Sequence, residues 1–197
     1  MSGHLLTLIV LVLCLGNSLL ILRLAGRLRF LLDPVKYPLR VPSLPVGRPA
    51  PAFSAEALDG GVVDSSRYLG STVTLIFISD HCAGCRRYLP LLGEWRDLAR
   101  GTGGELLAAA FLENDKTTSG LARLVRQYDI PCGVLLIPRD HPLHAYNPRK
   151  STPFFYHLDR GVVRARGLVG TGDWEALVET WSGAAQAGHH SSSDSLN

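Results

Sequence analysis

Val73-Thr74-Leu75-Ile76-Phe77-Ile78-Ser79-Asp80-His81-Cys82-Ala83-Gly84-Cys85-Arg86-Arg87-Tyr88-Leu89-Pro90 decides how the rest of the chain is read. The Val73–Ile78 run is apolar on both faces, which predicts a strand in mid-sheet with helices covering both sides. Two cysteines three positions apart close that strand and open a helix. At a helix start the backbone N–H groups are unpaired and the macrodipole is positive, so a thiolate placed there is stabilised. Cys82 is then the nucleophile. Cys85, one turn along and buried beneath it, is the thiol that can attack a mixed disulfide formed by the first. A zinc site uses C-x-x-C as well, but it needs two further ligands as a second C-x-x-C or a histidine pair. None stands at suitable spacing, so the strand-then-helix context favours redox chemistry, which needs no cofactor and no metal. His81, if protonated, could stabilise the thiolate further, or it is a solvent-facing loop side chain. Asp80 is expected to be exposed.

Outward from this stretch, other residues fall into place. Gly47-Arg48-Pro49-Ala50-Pro51-Ala52-Phe53 has the form G-x-x-A-P-x-F, and Asp59-Gly60-Gly61 before Val62-Val63 reads as a hairpin. Ser65 or Ser66 is positioned to cap a short helix through Leu69. Leu89, Leu92, Trp95 and Leu98 repeat at helical spacing from about Ala83 to Ala99, interrupted at Pro90, and Gly101-Thr102-Gly103-Gly104 ends that helix. Leu106–Leu112 and Val134–Ile137 read as buried strands, with a helix capped by Ser119 between them. Phe154–Leu158 and Val162–Gly167 flank the turn Asp159-Arg160-Gly161. Trp174, Leu177, Val178 and Trp181 form the core stripe of a last helix.

These residues resemble a thioredoxin-fold protein of the membrane-anchored redoxin type, over about residues 46 to 182, and are similar to the MauD type of methylamine-utilisation protein and to the TlpA-type thiol–disulfide oxidoreductases. The resemblance implies an α/β fold with a central mixed sheet flanked by helices. Pro90 corresponds to the proline that kinks the family's active-site helix. Thr152-Pro153 corresponds to its cis-proline, where the residue before the proline pairs strand to strand with an incoming peptide. The implied partners are protein dithiol or disulfide clients, such as methylamine dehydrogenase, and a redox protein that recycles the pair. Thioredoxins carry a buried carboxylate six positions before the first cysteine, and here that position is Ile76. A peroxidase of the peroxiredoxin group is a competing reading: Ser79 fits its hydroxyl position, but Leu75 stands where its proline should be. A copper-binding assembly factor is the other, with His189-His190 or His141 and His144 as further ligands.

The chain has 197 residues, 19% of them charged, with a formal net charge of +3. That allows one modest domain and, with no Lys/Arg block inside it, gives no support for nucleic-acid binding. Four cysteines allow three pairings. Cys14 lies in a hydrophobic segment and Cys132 in an apolar strand pattern, which leaves Cys82–Cys85.

Residues 5–22 are mostly apolar and uncharged, near the lower limit for a membrane span. No basic n-region precedes them and no small-x-small site follows, which disfavours a cleaved signal peptide. The expected organisation is a transmembrane anchor over 1–30, a proline-rich linker over 31–46, a redoxin domain over 47–183 and a disordered tail over 184–197. Arg23, Arg27, Arg29, Lys36 and Arg40 follow the span, and the positive-inside rule then places the domain in the cytoplasm. The resemblance implies the outside of the cell membrane, and that is the side expected here. Between Arg139 and Lys150 the sequence is polar and proline-broken; it could line the client groove, but a plain connecting loop is the expectation.

Overall fold

The computed structural model describes residues 4, 7, 11, 13–18, 44–113 and 115–193. Contacts divide the chain into two units, Met1–Arg40 and Val41–Asn197. In the first, the described residues are helical and exposed, Leu11, Leu13 and Leu15 among them. Most of the expected span 5–22 and of the linker 31–46 lies outside the described residues. Among the described residues, no helix is long and apolar enough to cross a membrane.

The second unit contains the thioredoxin-like α/β domain. Its elements are β1 (Ser54–Glu56), β2 (Val62–Asp64), β3 (Thr72–Ile78), α1 (Ala83–Tyr88), α2 (Leu92–Gly101), β4 (Gly104–Phe111), α3 (Asp115–Tyr128), β5 (Val134–Ile137), β6 (Phe154–Asp159), β7 (Val162–Leu168) and α4 (Gly172–Ser193). The main sheet has the order β5-β4-β3-β6-β7. β3 pairs in parallel with β4 and antiparallel with β6, so it stands in the middle of a mixed sheet, as its two-sided apolar pattern requires. Arg160 and Gly161, with φ of +51° and +77°, make the tight turn between β6 and β7. α4 runs on to Ser193, through part of the segment 184–197 that the sequence sets apart as a tail.

The two faces of β3 are covered differently from the sequence-based expectation. Ile76 and Ile78 face a cluster built by helices: Leu89, Leu92 and Trp95, then Leu121 and Leu124, then Trp174, Leu177 and Trp181. Val73, Leu75 and Phe77 face the other way, where the cover is Phe53, Ala55, Ala57, Tyr68, Leu143 and Tyr146. That face is closed by the N-terminal hairpin and by segments that carry the short 3-10 turns Ser65–Tyr68 and Pro142–Ala145, not by α-helices. The covering strip is tied to both edges of the sheet. Gly47 N–H donates to Val163 C=O and Ala50 N–H to Gly161 C=O at the β7 edge, while Leu58 N–H donates to Val134 C=O at the β5 edge. Some of the backbone groups that an exposed edge would offer to another chain are thereby occupied.

Local starts also differ in instructive ways. The short 3-10 turn Ser65–Tyr68 is capped by Asp64, whose Oδ1 accepts from Ser66 N–H at 2.8 Å. Ser65 is not free for that task, since its hydroxyl accepts from Phe53 N–H at 2.9 Å. α3 begins at Asp115, so Ser119 lies inside it. Pro90 falls in a 3-10 turn, Leu89–Leu91, that joins α1 to α2, because proline cannot donate to the preceding turn.

Candidate active site

β3 delivers Cys82 to the sheet's upper edge, and the chain turns there into α1. Cys82 is the N-cap of α1, in extended backbone with φ −80° and ψ 108°. Its Sγ accepts from Cys85 N–H at 3.0 Å, so one of the orphan donors of the helix start points at sulfur. On its other side the Sγ lies 3.4 Å from the carbonyl of Thr152, to which the thiol donates. The sulfur is half-buried, while Cys85 is 1% exposed and sits in the helix-covered core. Both are free thiols in this structure. The two therefore differ in access by placement alone: one at the surface with a donor aimed at it, the other walled in.

Burial, and next the hydrogen bond with Cys82, push the Cys85 thiol up from 9.0 to about 12. At neutral pH it is a protonated thiol that must lose its proton before it can act as a nucleophile. The position where thioredoxins carry a carboxylate offers no help, since Ile76 stands there and is packed in the same apolar cluster as Cys85.

Thr152-Pro153 is a cis peptide, and it stands opposite the helix start. A Cβ placed on Gly84 would lie 3.5 Å from Pro153 Cδ and 3.8 Å from Cys82 Sγ, so Gly84, Pro153 and the Cys82 sulfur share one small surface. Pro153 C=O in turn accepts from Val169 N–H at 3.1 Å, which fastens this corner to the end of β7. Cys82, Cys85, Thr152 and Pro153 are thus brought together.

His81 is placed otherwise. Its side chain is 79% exposed and its Nε2 lies 3.6 Å from Asp80 Oδ2; the Cys82 sulfur accepts from Cys85 N–H and donates to Thr152 C=O. Asp80, expected at the surface, has a side chain only 10% exposed. The reason is Gly120 of α3: a Cβ there would collide with the Asp80 carboxylate, so the missing side chain makes the room. Cys132 is buried, and burial raises its thiol from 9.0 to about 11, in keeping with a packing residue. Cys14 lies in the N-terminal helical residues. Among the described residues, no group of three or more His, Cys, Asp and Glu is placed to hold a metal ion.

The segment 139–151 is more than a connection. Leu143, Tyr146 and Asn147 are buried. Tyr146 donates from its hydroxyl to Pro51 C=O at 2.6 Å, and His141 Nε2 stands 2.9 Å from Ser54 C=O. The segment is bolted to the covering strip and leads straight into Thr152.

With this geometry in view, comparison with solved structures shows the same architecture. The thioredoxin domain of a thiol-disulfide oxidoreductase from Bacteroides vulgatus superposes with a TM-score of 0.60 at 21% identity, covering 71% of this chain and 99% of that one. A protein assigned as DsbE, a thiol:disulfide interchange protein, from Chlorobium tepidum gives 0.61 at 26% identity, with 73% and 99% covered. No curated protein matches the chain significantly. The profile of the AhpC/TSA family matches residues 46–166, from the covering strip through the C-x-x-C helix to β7. On that match, spanning more than half of its residues, the chain belongs to the AhpC/TSA family.

Proposed function

We propose that the protein is a membrane-anchored thiol–disulfide oxidoreductase that acts on protein cysteines through Cys82 and Cys85. The observation that carries this is the contrast between the two sulfurs: Cys82 is accessible, with the Cys85 N–H aimed at it, and Cys85 is 1% exposed directly behind. Cys82 as thiolate attacks one sulfur of a client disulfide. That S–S bond breaks, and the leaving client sulfur takes up a proton. Cys85 then loses its proton and attacks Cys82, forming the Cys82–Cys85 disulfide and releasing the second client thiol. Two electrons pass from the protein dithiol to the client; run backwards, a client dithiol is oxidised instead. A partner dithiol or disulfide resets the pair. Thr152 offers its backbone to the client strand beside the sulfur. Residues 5–22 hold the protein in the membrane with the domain outside, where a disulfide-rich client such as methylamine dehydrogenase is matured.

Family membership favours one other reading, a thiol peroxidase. Cys82 would attack a peroxide oxygen, the O–O bond would break to release water or alcohol, and Cys85 would condense with the resulting sulfenic acid to give a disulfide and water. Leu75 at the proline position and the immediate C-x-x-C resolution speak for exchange.

The deciding experiment uses the full chain, reduced, with insulin disulfides and with hydrogen peroxide in parallel. Exchange predicts insulin reduction, with Cys82 and Cys85 alone becoming protected from alkylation. Peroxide consumption without insulin reduction would support the peroxidase, and stoichiometric zinc with both thiols protected throughout would overturn both. Carbonate extraction should leave the full-length protein in the membrane pellet; a mature N-terminus beyond residue 26 would sink the anchor.

A further inference from the structure

Asn147 is the least expected polar residue in the domain. It is 3% exposed in an irregular segment, where a buried amide needs partners to offset its lost hydration. It finds both on one residue. Its Nδ2 donates to Ser151 C=O at 2.7 Å, and its Oδ1 accepts from Ser151 N–H at 3.0 Å. The side chain thus grips the backbone of Ser151 from both ends, as a neighbouring strand would. A third bond closes the loop from below, since Asn147 C=O accepts from Lys150 N–H at 2.9 Å, with Lys150 in the left-handed region at φ +52°.

The residue after Ser151 is Thr152, whose carbonyl meets Cys82 Sγ at 3.4 Å. Asn147 itself is rooted by its neighbour Tyr146, which is 1% exposed and bonded to Pro51 C=O. A continuous set of contacts therefore runs from the covering strip to the reactive sulfur, and the two bonds of the Asn147 amide are its last step before Thr152.

We propose that Asn147 is a positioning residue for thiol–disulfide exchange, holding Ser151 so that the Thr152 backbone is set against Cys82 and ready for a client strand. This rests on the reading of Cys82 as the attacking thiol and of Thr152 as the pairing residue. Asn147 touches neither the client nor the sulfur; it acts through the backbone between them. Asparagine suits the task because it offers one donor and one acceptor in a plane. Aspartate, of the same size, keeps the acceptor for Ser151 N–H but turns a second oxygen toward Ser151 C=O. Only one bond survives, and the other becomes a repulsion.

The test is steady-state insulin reduction by the full chain, compared with the reaction of Cys82 with the small aromatic disulfide 5,5′-dithiobis(2-nitrobenzoate), which pairs with no strand. Asn147→Ala and Asn147→Asp should raise KM for insulin by about tenfold, the order of loss that follows a small misplacement near the reacting atoms. The rate with the small disulfide should stay within about twofold. Ser151→Ala should match the unmodified protein in both assays, because the clamp holds its backbone only. Near-ultraviolet circular dichroism reports folding; if the alanine variant does not fold, the isosteric aspartate variant decides. A lowered melting temperature with unchanged KM would overturn the proposal and leave Asn147 a stabilising residue. An unmodified protein that leaves insulin intact would instead overturn the exchange reading itself.

Discussion

Cys85→Ser should accumulate clients as mixed disulfides with Cys82, and Cys82→Ser should accumulate almost none. In the first variant the attacking sulfur keeps its access, its Thr152 partner and the residue 85 N–H, which belongs to the backbone. What is lost is the thiol that completes the exchange, so the intermediate has no internal escape. In the second variant the remaining thiol is the one that is 1% exposed, and its burial still raises its pKa above the ordinary thiol value. It neither meets a client nor ionises appreciably at neutral pH. A non-reducing gel of membranes from each variant, probed for the protein, reads the result. Equal trapping by the two variants would overturn the assigned roles. The same raised pKa gives a pH dependence for the unmodified protein. The reactive form is the thiolate, and its fraction grows as pH rises toward that pKa. The resolving step should therefore quicken about tenfold per pH unit across the neutral range, and captured intermediates should shorten in lifetime accordingly. A flat profile would mean that some group takes the Cys85 proton in a step that does not depend on bulk pH. Cys132→Ser should trap as the unmodified protein does, since Cys132 is buried in the helix-covered core.

What could be read from the sequence, and what could not, divides by how local the cause is. The C-x-x-C site was legible because strand, turn, cysteines and helix follow one another within 18 residues, 73–90, and each link is a local preference. The central place of β3 was legible for the same reason. The cover on its Val73–Leu75–Phe77 face was not. A residue pattern tells that a face is buried but not by what, and here short pieces tied to both sheet edges do it. Asp80 reads as an exposed loop acid until Gly120 of α3 is packed against it. Nothing near residue 80 carries that information. Asn147 is the sharpest case. Its chemistry lies only four positions from its partner, yet the stretch has no periodicity, and Asn before Pro ordinarily marks a turn. The available signal was the crowding of apolar Leu143 and Tyr146 beside it, which argues for an anchored segment. For His81 the sequence left two readings open, a partner for the sulfur or a solvent-facing loop side chain, and the side chain is 79% exposed beside Asp80.

Trp174→Ala should cost more stability than any change at the reactive corner. Trp174 is 2% exposed at the start of α4. Its ring meets three others edge-on: Trp95 of α2 at 4.6 Å, Phe155 of β6 at 5.0 Å and Trp181 of α4 at 5.8 Å between centroids. It is therefore the piece that joins the last helix to α2 and to the strand that begins just after Pro153. Removing a buried tryptophan typically costs about 3–5 kcal/mol, because the lost burial is joined by a cavity that rigid neighbours cannot close. Edge-to-face pairing adds ~0.5–1.5 kcal/mol per pair beyond burial. Against the roughly 5–15 kcal/mol that stabilises a typical domain, this is a large share. Tm should fall by about 10 °C or more. All three tryptophans of the chain take part in the contact, so the near-ultraviolet circular dichroism of the folded variant should collapse as well, even at temperatures where far-ultraviolet helicity persists. Trp174→Phe keeps a ring in the gap and should lose markedly less. A Trp174→Ala protein that melts within about 2 °C of the unmodified one would show that α4 is held by Leu177 and Trp181 alone. The thioredoxin-like core would then tolerate a void between α2, β6 and α4.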